Sequence, residues 1–292
     1  MTGLEEAIAL LAEALPPRGL RHASLGEAAQ GVLHEEVTVG SPPSGDRPAP
    51  AIPAGTRLHP ARLAALRLAE IHTVPIAPPL TLAVACPTGD GPEFLLVEQM
   101  LRAAGALSLR PARFSALPEE LPERLAESMV DHPDLVLAGV DPAWRDAHLL
   151  PLLGTLGFEP LFTEVSCFPG GRIWSAAART RHTITLISGD IFAHLVAADR
   201  LLLPALRRRG GETEPRPSQF PLDKDVRFSQ PLTLFAPARL KPDYHGSCTA
   251  EPLPMRPGQE AATLAQADGL LEFERYRDFF HQGEHLPFHP FS

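Results

Sequence analysis

Between Leu80 and Gly211 short apolar runs alternate with amphipathic stretches, and this alternation restricts the fold more than any other feature of the chain. "LTLAVAC" (Leu80 to Cys86), "DLVLAG" (Asp134 to Gly139) and "TITLIS" (Thr183 to Ser188) read as buried strands. Three helix-like segments lie among them: "PEFLLVEQMLRAAG", "PEELPERLAESMV" and "PAWRDAHLLPLLGTLG". "ALSLRPAR", "EPLFTEVSCF" and "RIWSAAA" are further strand candidates, and a long helix follows Asp190. Repeated strand–helix alternation gives a parallel-rich sheet with helices on both faces, because each crossover returns over the sheet.

The flanks read differently. Thr2 with Glu5, and Ser24 with Glu27, have capping-box spacing before "LEEAIALLAEAL" and "LGEAAQGVLHEE". Pro60 opens a third expected helix through Leu68. Prolines gather in Ser41 to Gly55 and in Gly210 to Pro221, which read as linkers because proline removes backbone donors. The expected divisions are a helical N-terminal region with its linker at 1–75, an α/β domain at 76–215 and a small β domain at 216–292. "PLTLFAPARL" and "LLEFERY" are short β-like runs of that last part, and "QEAATLAQADG" is its one helix candidate.

The net charge of −9 argues against a nucleic-acid partner. No apolar run is long enough for a membrane span, so no membrane partner is expected. Cys86, Cys167 and Cys248 are far apart and form no CxxC pair. The odd cysteine count and a non-basic N-terminus fit a reducing cytoplasm.

Asp90, Asp141 and Asp190 each follow a core strand and precede a helix. Parallel strands would put all three on the carboxyl edge of one sheet, where open α/β sheets bind ligands. Carboxylates there suit Mg²⁺ bridged to an anion. Helix capping is the plainer role of each. "PTGDGPE" lacks a P-loop lysine, and GxGxxG is absent. "FPGGRIW" offers a turn whose amides could face a ligand, with Arg172 alongside. "ISGD" lacks the GxSxG of a nucleophile elbow. His281, His285 and His289 have helical spacing, but Gly283 and Pro287 interrupt it. Arg207 to Arg209 read as a basic helix C-terminus facing solvent.

"TLISGDIFAHLVAADRLLLPALRRRGG" resembles the "LPGNPVSALVTFELFVRPALRRLAG" type of segment in the molybdopterin molybdenumtransferases, the MoeA and gephyrin E-domain family. "FPGGRIWSAAA" resembles that family's "RPGKPLAFG", and "VACPTGD" its "FSTGDE". "DLVLAGVDPAWRDA" stands where the family has "DVVLTTGGVSVGDYD". "AIPAGTRLHPARLAALRLAEI", "ATLAQADGLLEF" and "SLGEAAQGVLHEEV" resemble "LPAGTRLGPAELGLLASLG", "SSLARADGLIVL" and "PLEEALGRVLAEDV". The matches occur in family order.

The resemblance implies a MogA-like three-layer α/β core, a short helical N-terminal region and a small C-terminal β domain. It implies the last step of molybdenum cofactor synthesis, in which molybdate enters adenylylated molybdopterin with Mg²⁺. It assigns Asp90, Asp141 and Asp190 as catalytic candidates, with Asp90 and Asp141 on the metal. Thr88, Gly89, Gly139, Gly170, Gly171, Arg172, Ser188 and Gly189 become the candidate substrate-binding residues. A homodimer and a cofactor-biosynthetic or acceptor protein are the implied partners.

The departures are specific. A family domain with a "DNSAMDGYA" signature is replaced here by the proline-rich Val37 to Ile52. The lysine of "PGK" is Gly171, and Ser188 and Ile191 replace the prolines of "PGNP". Asp90 matches a motif carboxylate directly, whereas Asp141 and Asp146 compete for another. Loss of a placed cation weakens electrostatic catalysis. Two readings follow: a transferase with degraded catalysis, or a non-catalytic protein that binds molybdopterin or a partner.

Overall fold

The structure is a computed structural model and describes residues 1–15, 19–29, 31–40, 49–77, 82–87, 91–103, 112–113, 119–131, 134–178, 182–213, 216–242 and 246–291. Ala83–Cys86, Asp134–Leu137 and Thr183–Ile187 lie in one sheet, as the alternation predicts. Among the described residues the order is Ala112–Arg113, Ala83–Cys86, Asp134–Leu137, Thr183–Ile187, Ile173–Ala178, Phe158–Phe162. The first four strands are mutually parallel. Ile173–Ala178 runs antiparallel to both of its neighbours. Its connection to Thr183 is too short for a crossover helix, so a hairpin is the only route back.

Both faces are covered. One face packs against Leu4–Ala14, Pro92–Ala103 and the long helix that starts at Ile191. The other packs under Leu121–Asp131 and the helical run from Pro142 to Thr155. The helix Ile191–Ala197 is buried on every side, which explains an apolar sequence without a polar stripe. Among the described residues two helical runs contain a π turn, Arg145–Leu149 and Ala198–Leu202. Each π turn is followed by a segment with proline near its start, Pro151 or Pro204. A proline cannot donate to the preceding turn and crowds its carbonyl, and a wider turn relieves both.

The expected helix after Ser24 is absent. Glu27 does reach back as in one arm of a capping box, accepting from the Ser24 amide at 3.1 Å and from its hydroxyl at 2.7 Å. Yet the chain only turns there and enters the strand Val32–Leu33. Arg21–Ser24 and Val32–Leu33 instead pair with the two edges of Thr73–Ala77, and glycine in the intervening stretch weakens the helical alternative. Thr2 is no cap either; its amide donates to Glu164 O at 2.9 Å, and Gly3 occupies the N-cap position. The Pro60–Leu68 helix forms as expected.

"EPLFTEVSCF" divides between two sheets. Phe158–Phe162 closes the core sheet, whereas Cys167–Phe168 pairs in parallel with Thr233–Pro242 of the C-terminal sheet. That second sheet continues through Gly269–Phe273, His285–Pro290 and Ser218–Pro221 around its own apolar core. The expected C-terminal helix is only Glu260–Leu264. No helix among the described residues is long and apolar enough to cross a membrane.

Candidate functional site

The strand Thr183–Ile187 ends in Ser188-Gly189-Asp190, and the long helix begins at Ile191. Gly189 has φ 122°, a region that L side chains rarely adopt. A Cβ there would also stand 2.9 Å from the Ala193 Cβ. Asp190 is the N-cap, and its Oδ1 accepts from the Ala193 amide at 2.9 Å.

The antiparallel register places Ile173 opposite Ile187, so the turn before Ile173 arrives beside the same strand end. The Ser188 amide donates to Arg172 O at 3.3 Å. Gly170 has φ 96°, and a Cβ on it would lie 3.1 Å from Ala193 O. Gly170, Gly171, Arg172, Ser188, Gly189 and Asp190 thereby line one cleft of about 480 Å³. Gln230 and Leu232 close it from the C-terminal part. Arg172 is exposed and makes no ion pair among the described residues. Ser188 is 1% exposed, and its hydroxyl has no hydrogen-bond partner among the described residues.

Asp141 occupies the matching position after the neighbouring parallel strand. It also caps, with Oδ1 accepting from the Trp144 amide at 2.8 Å. Neither Asp141 nor Gly139 lines the cleft. Asp146 is exposed and pairs with Arg145 Nε at 2.7 Å. Thr88, Gly89 and Asp90 lie outside the described residues. Asp190 also borders a second, largely apolar groove of about 700 Å³ between Pro92–Ala103 and Glu260–Leu264.

Among the described residues no three His, Cys, Asp or Glu side chains converge in a way that could hold a metal ion. Asp141 and Asp190 each commit an oxygen to a cap. The described residues alone therefore do not fit Mg²⁺, and no chemical step is assigned to it. His281, His285 and His289 do not converge either; His289 bonds Glu272 at 2.7 Å.

Sequence reasoning missed His194, which ties the two capped turns together. The Gly139 amide donates to His194 Nε2 at 2.7 Å, and Nδ1 stands 2.8 Å from Asp190 O. An accepting Nε2 leaves the proton on Nδ1, which donates to that carbonyl. Burial holds the imidazole below its ordinary pKa, against the raising influence of the Asp190 carbonyl and of Glu93. The neutral ring is the one that can accept from Gly139. Its stabilisation is present above the ordinary histidine range and is lost as pH falls through the lowered pKa. The signal in the sequence was a lone polar residue in the apolar "IFAHLVAA". His194→Leu should strand the Gly139 amide and cost about 1–3 kcal/mol, the penalty of an unsatisfied buried donor. Chemical denaturation at pH 7.5 measures this; an unchanged midpoint would remove His194 from the role.

No protein-family model matches the chain. A molybdopterin molybdenumtransferase from Synechocystis sp. (strain ATCC 27184 / PCC 6803 / Kazusa) is 30% identical over 156 residues, 53% of this chain. The match spans 37% of that relative's length. A molybdenum cofactor biosynthesis protein from Pyrococcus furiosus superposes with a TM-score of 0.72 at 18% identity, covering 99% of this chain and 100% of that one. A molybdopterin biosynthesis MoeA protein from Pyrococcus horikosii gives 0.73 at 14%, covering 100% and 99%. These two structures establish likeness of fold, and the Synechocystis match establishes likeness of sequence over half the chain. The chain is therefore MoeA-like in fold and, over about half its length, similar in sequence to a molybdopterin molybdenumtransferase.

Proposed function

We propose that this protein takes part in molybdenum cofactor biosynthesis and holds a molybdopterin-type ligand in the cleft beside Ser188 to Asp190. One observation carries the reading. Six of the residues chosen by the resemblance, Gly170, Gly171, Arg172, Ser188, Gly189 and Asp190, line a single cleft at the carboxyl edge of the sheet. The glycines let the two turns pack closely against neighbouring backbone, which fixes the wall of the cleft. Arg172 supplies the cation, and its planar fork suits a phosphate or an oxyanion.

Binding outlasts molybdate insertion in this reading. Asp141 and Asp190 each commit an oxygen to a helix cap, and the lysine position is a glycine. Small misplacements of reacting groups cost rate far more than affinity. The test is reconstitution of a molybdenum enzyme from adenylylated molybdopterin, molybdate and Mg²⁺. Molybdopterin binding with little turnover is the expected result; rates equal to a complete molybdenumtransferase would overturn it. Arg172→Ala should weaken molybdopterin binding about tenfold or more, as expected for a lost charge-assisted hydrogen bond. Pterin fluorescence after oxidation reads the bound fraction. Unchanged affinity would remove Arg172 from the site.

A further inference from the structure

A second polar cleft, of about 530 Å³, lies where the long helix meets the C-terminal sheet. Arg200 and Arg207 reach it from the helix, and Arg216 from the segment after it. Arg207 and Arg216 make no ion pair among the described residues. Arg200 packs over the Phe235 ring at 5.7 Å, and its Nε is buried without a hydrogen-bond partner among the described residues.

The facing acids are unequal. Glu272 is bonded to His289 at 2.7 Å, and Glu5 is exposed. Asp199 is 7% exposed, and its buried Oδ2 has no hydrogen-bond partner among the described residues. Arg200 Nη1 is 3.9 Å from that oxygen, beyond hydrogen-bond reach. Asp199 and Arg200 both belong to the π turn Ala198–Leu202. Among the described residues the cleft thus combines two guanidinium groups that make no ion pair, Arg207 acting on Asp199 only through its field, with a buried carboxylate oxygen that lacks a donor.

A fully deprotonated oxyanion would suit the arginines but would repel the Asp199 carboxylate. An oxyanion that keeps one proton satisfies both, because its O–H donates to the carboxylate while its other oxygens accept from arginine. Phosphate monoesters lose their last proton near pH 6. Sulfate and molybdate carry none at neutral pH. Inorganic phosphate still carries one as hydrogenphosphate. We propose that this interdomain cleft is a binding site for inorganic hydrogenphosphate, held by Arg207 and Arg216 and selected by Asp199. The site is separate from the cleft at Arg172 and does not depend on the function proposed for that cleft.

The direct test is titration calorimetry of the whole protein at pH 8, with inorganic phosphate, sulfate, molybdate and glycerol 3-phosphate as separate probes. Calorimetry is preferable to thermal shift because sulfate raises protein stability without binding. One phosphate should bind per chain, at least about tenfold tighter than the other three anions, the weight of one charge-assisted hydrogen bond. Arg216→Ala changes an exposed side chain, so the fold survives, and should weaken phosphate binding by a similar factor. Asp199→Asn should let sulfate bind about as well as phosphate. Sulfate or the monoester binding as tightly as phosphate to the parent protein would overturn the selection. Absence of phosphate binding below 10 mM, or an Arg216→Ala variant with parent affinity, would overturn the site.

Discussion

Asp134→Asn should abolish a loss of stability of on the order of 2–3 kcal/mol that the parent protein shows as pH rises from about 4 to 7.5. Asp134 is 2% exposed, at the start of a central strand. Its Oδ1 accepts from Thr183 Oγ1 at 2.5 Å, but Oδ2 is buried without a hydrogen-bond partner among the described residues. Leucines of the helices and strands bound the small space beside it, about 20 Å³. Burial raises the carboxyl pKa from 3.8 to about 6, against the lowering effect of the Thr183 hydrogen bonds. The folded protein therefore takes up a proton between these two values. Stability contributed by the neutral carboxyl is complete below about pH 4 and falls as pH rises to about 6. A shift of about two units corresponds to about 3 kcal/mol. Asparagine keeps the Thr183 bond through its carbonyl and carries no charge, so the variant should lose this slope. Denaturation at pH 4.5, 6 and 7.5 reads it. Parallel pH profiles for the two proteins would show that Asp134 is not the group responsible.

The alternation of strands and helices was legible because each core strand is an apolar run closed by small polar residues. "TITLIS" is entirely buried in the structure, and so is "DLVL". The Ser24 segment misled because its local cap signal is real while its helix is not. The Ser24–Glu27 bonds form, but the flanking residues pair with the two edges of Thr73–Ala77. Local bonding cannot reveal a strand that lies fifty residues away in sequence. "EPLFTEVSCF" failed for a related reason. An apolar run says that residues are buried, not that they are buried in the same sheet.

The candidate cleft was legible as motifs but not as a division of labour. Gly170 to Arg172 and Ser188 to Asp190 meet because Ile173 and Ile187 pair in register. Asp141 was grouped with them since strand ends of one sheet share an edge. Its side chain instead closes its own helix, a choice that spacing does not encode. His194 had the weakest signal, because its partners are a backbone amide and a backbone carbonyl. The second cleft depended on the packing of the long helix beside the C-terminal sheet, and "RRR" gave no hint that Arg207 turns inward while sharing its turn with Arg208.

Gly171→Lys should fail to restore the cation that the resemblance finds missing, and should lower stability by about 3 kcal/mol, toward the upper end of overpacking costs. A Cβ on Gly171 would stand 2.7 Å from Cys167 O and 2.8 Å from Val165 O. Both obstacles are backbone, so no side-chain rotation relieves them. The Gly171 carbonyl accepts from the Val165 amide at 2.9 Å, which pins the turn against those same atoms. Val165 is fully buried and Cys167 nearly so, and Cys167–Phe168 is paired with Thr233–Pro242. Relief would therefore require the C-terminal sheet to give way or the turn to open. Either movement displaces Arg172 and the Ser188 amide that bonds to its carbonyl. Molybdopterin affinity should fall along with stability. Arg172→Lys is the control, since it changes the cation at an exposed position and adds no Cβ. Chemical denaturation and the reconstitution assay on both variants decide the matter. A Gly171→Lys protein as stable as its parent, with faster molybdate insertion, would mean that the turn accepts a side chain and that the chain lost only its lysine.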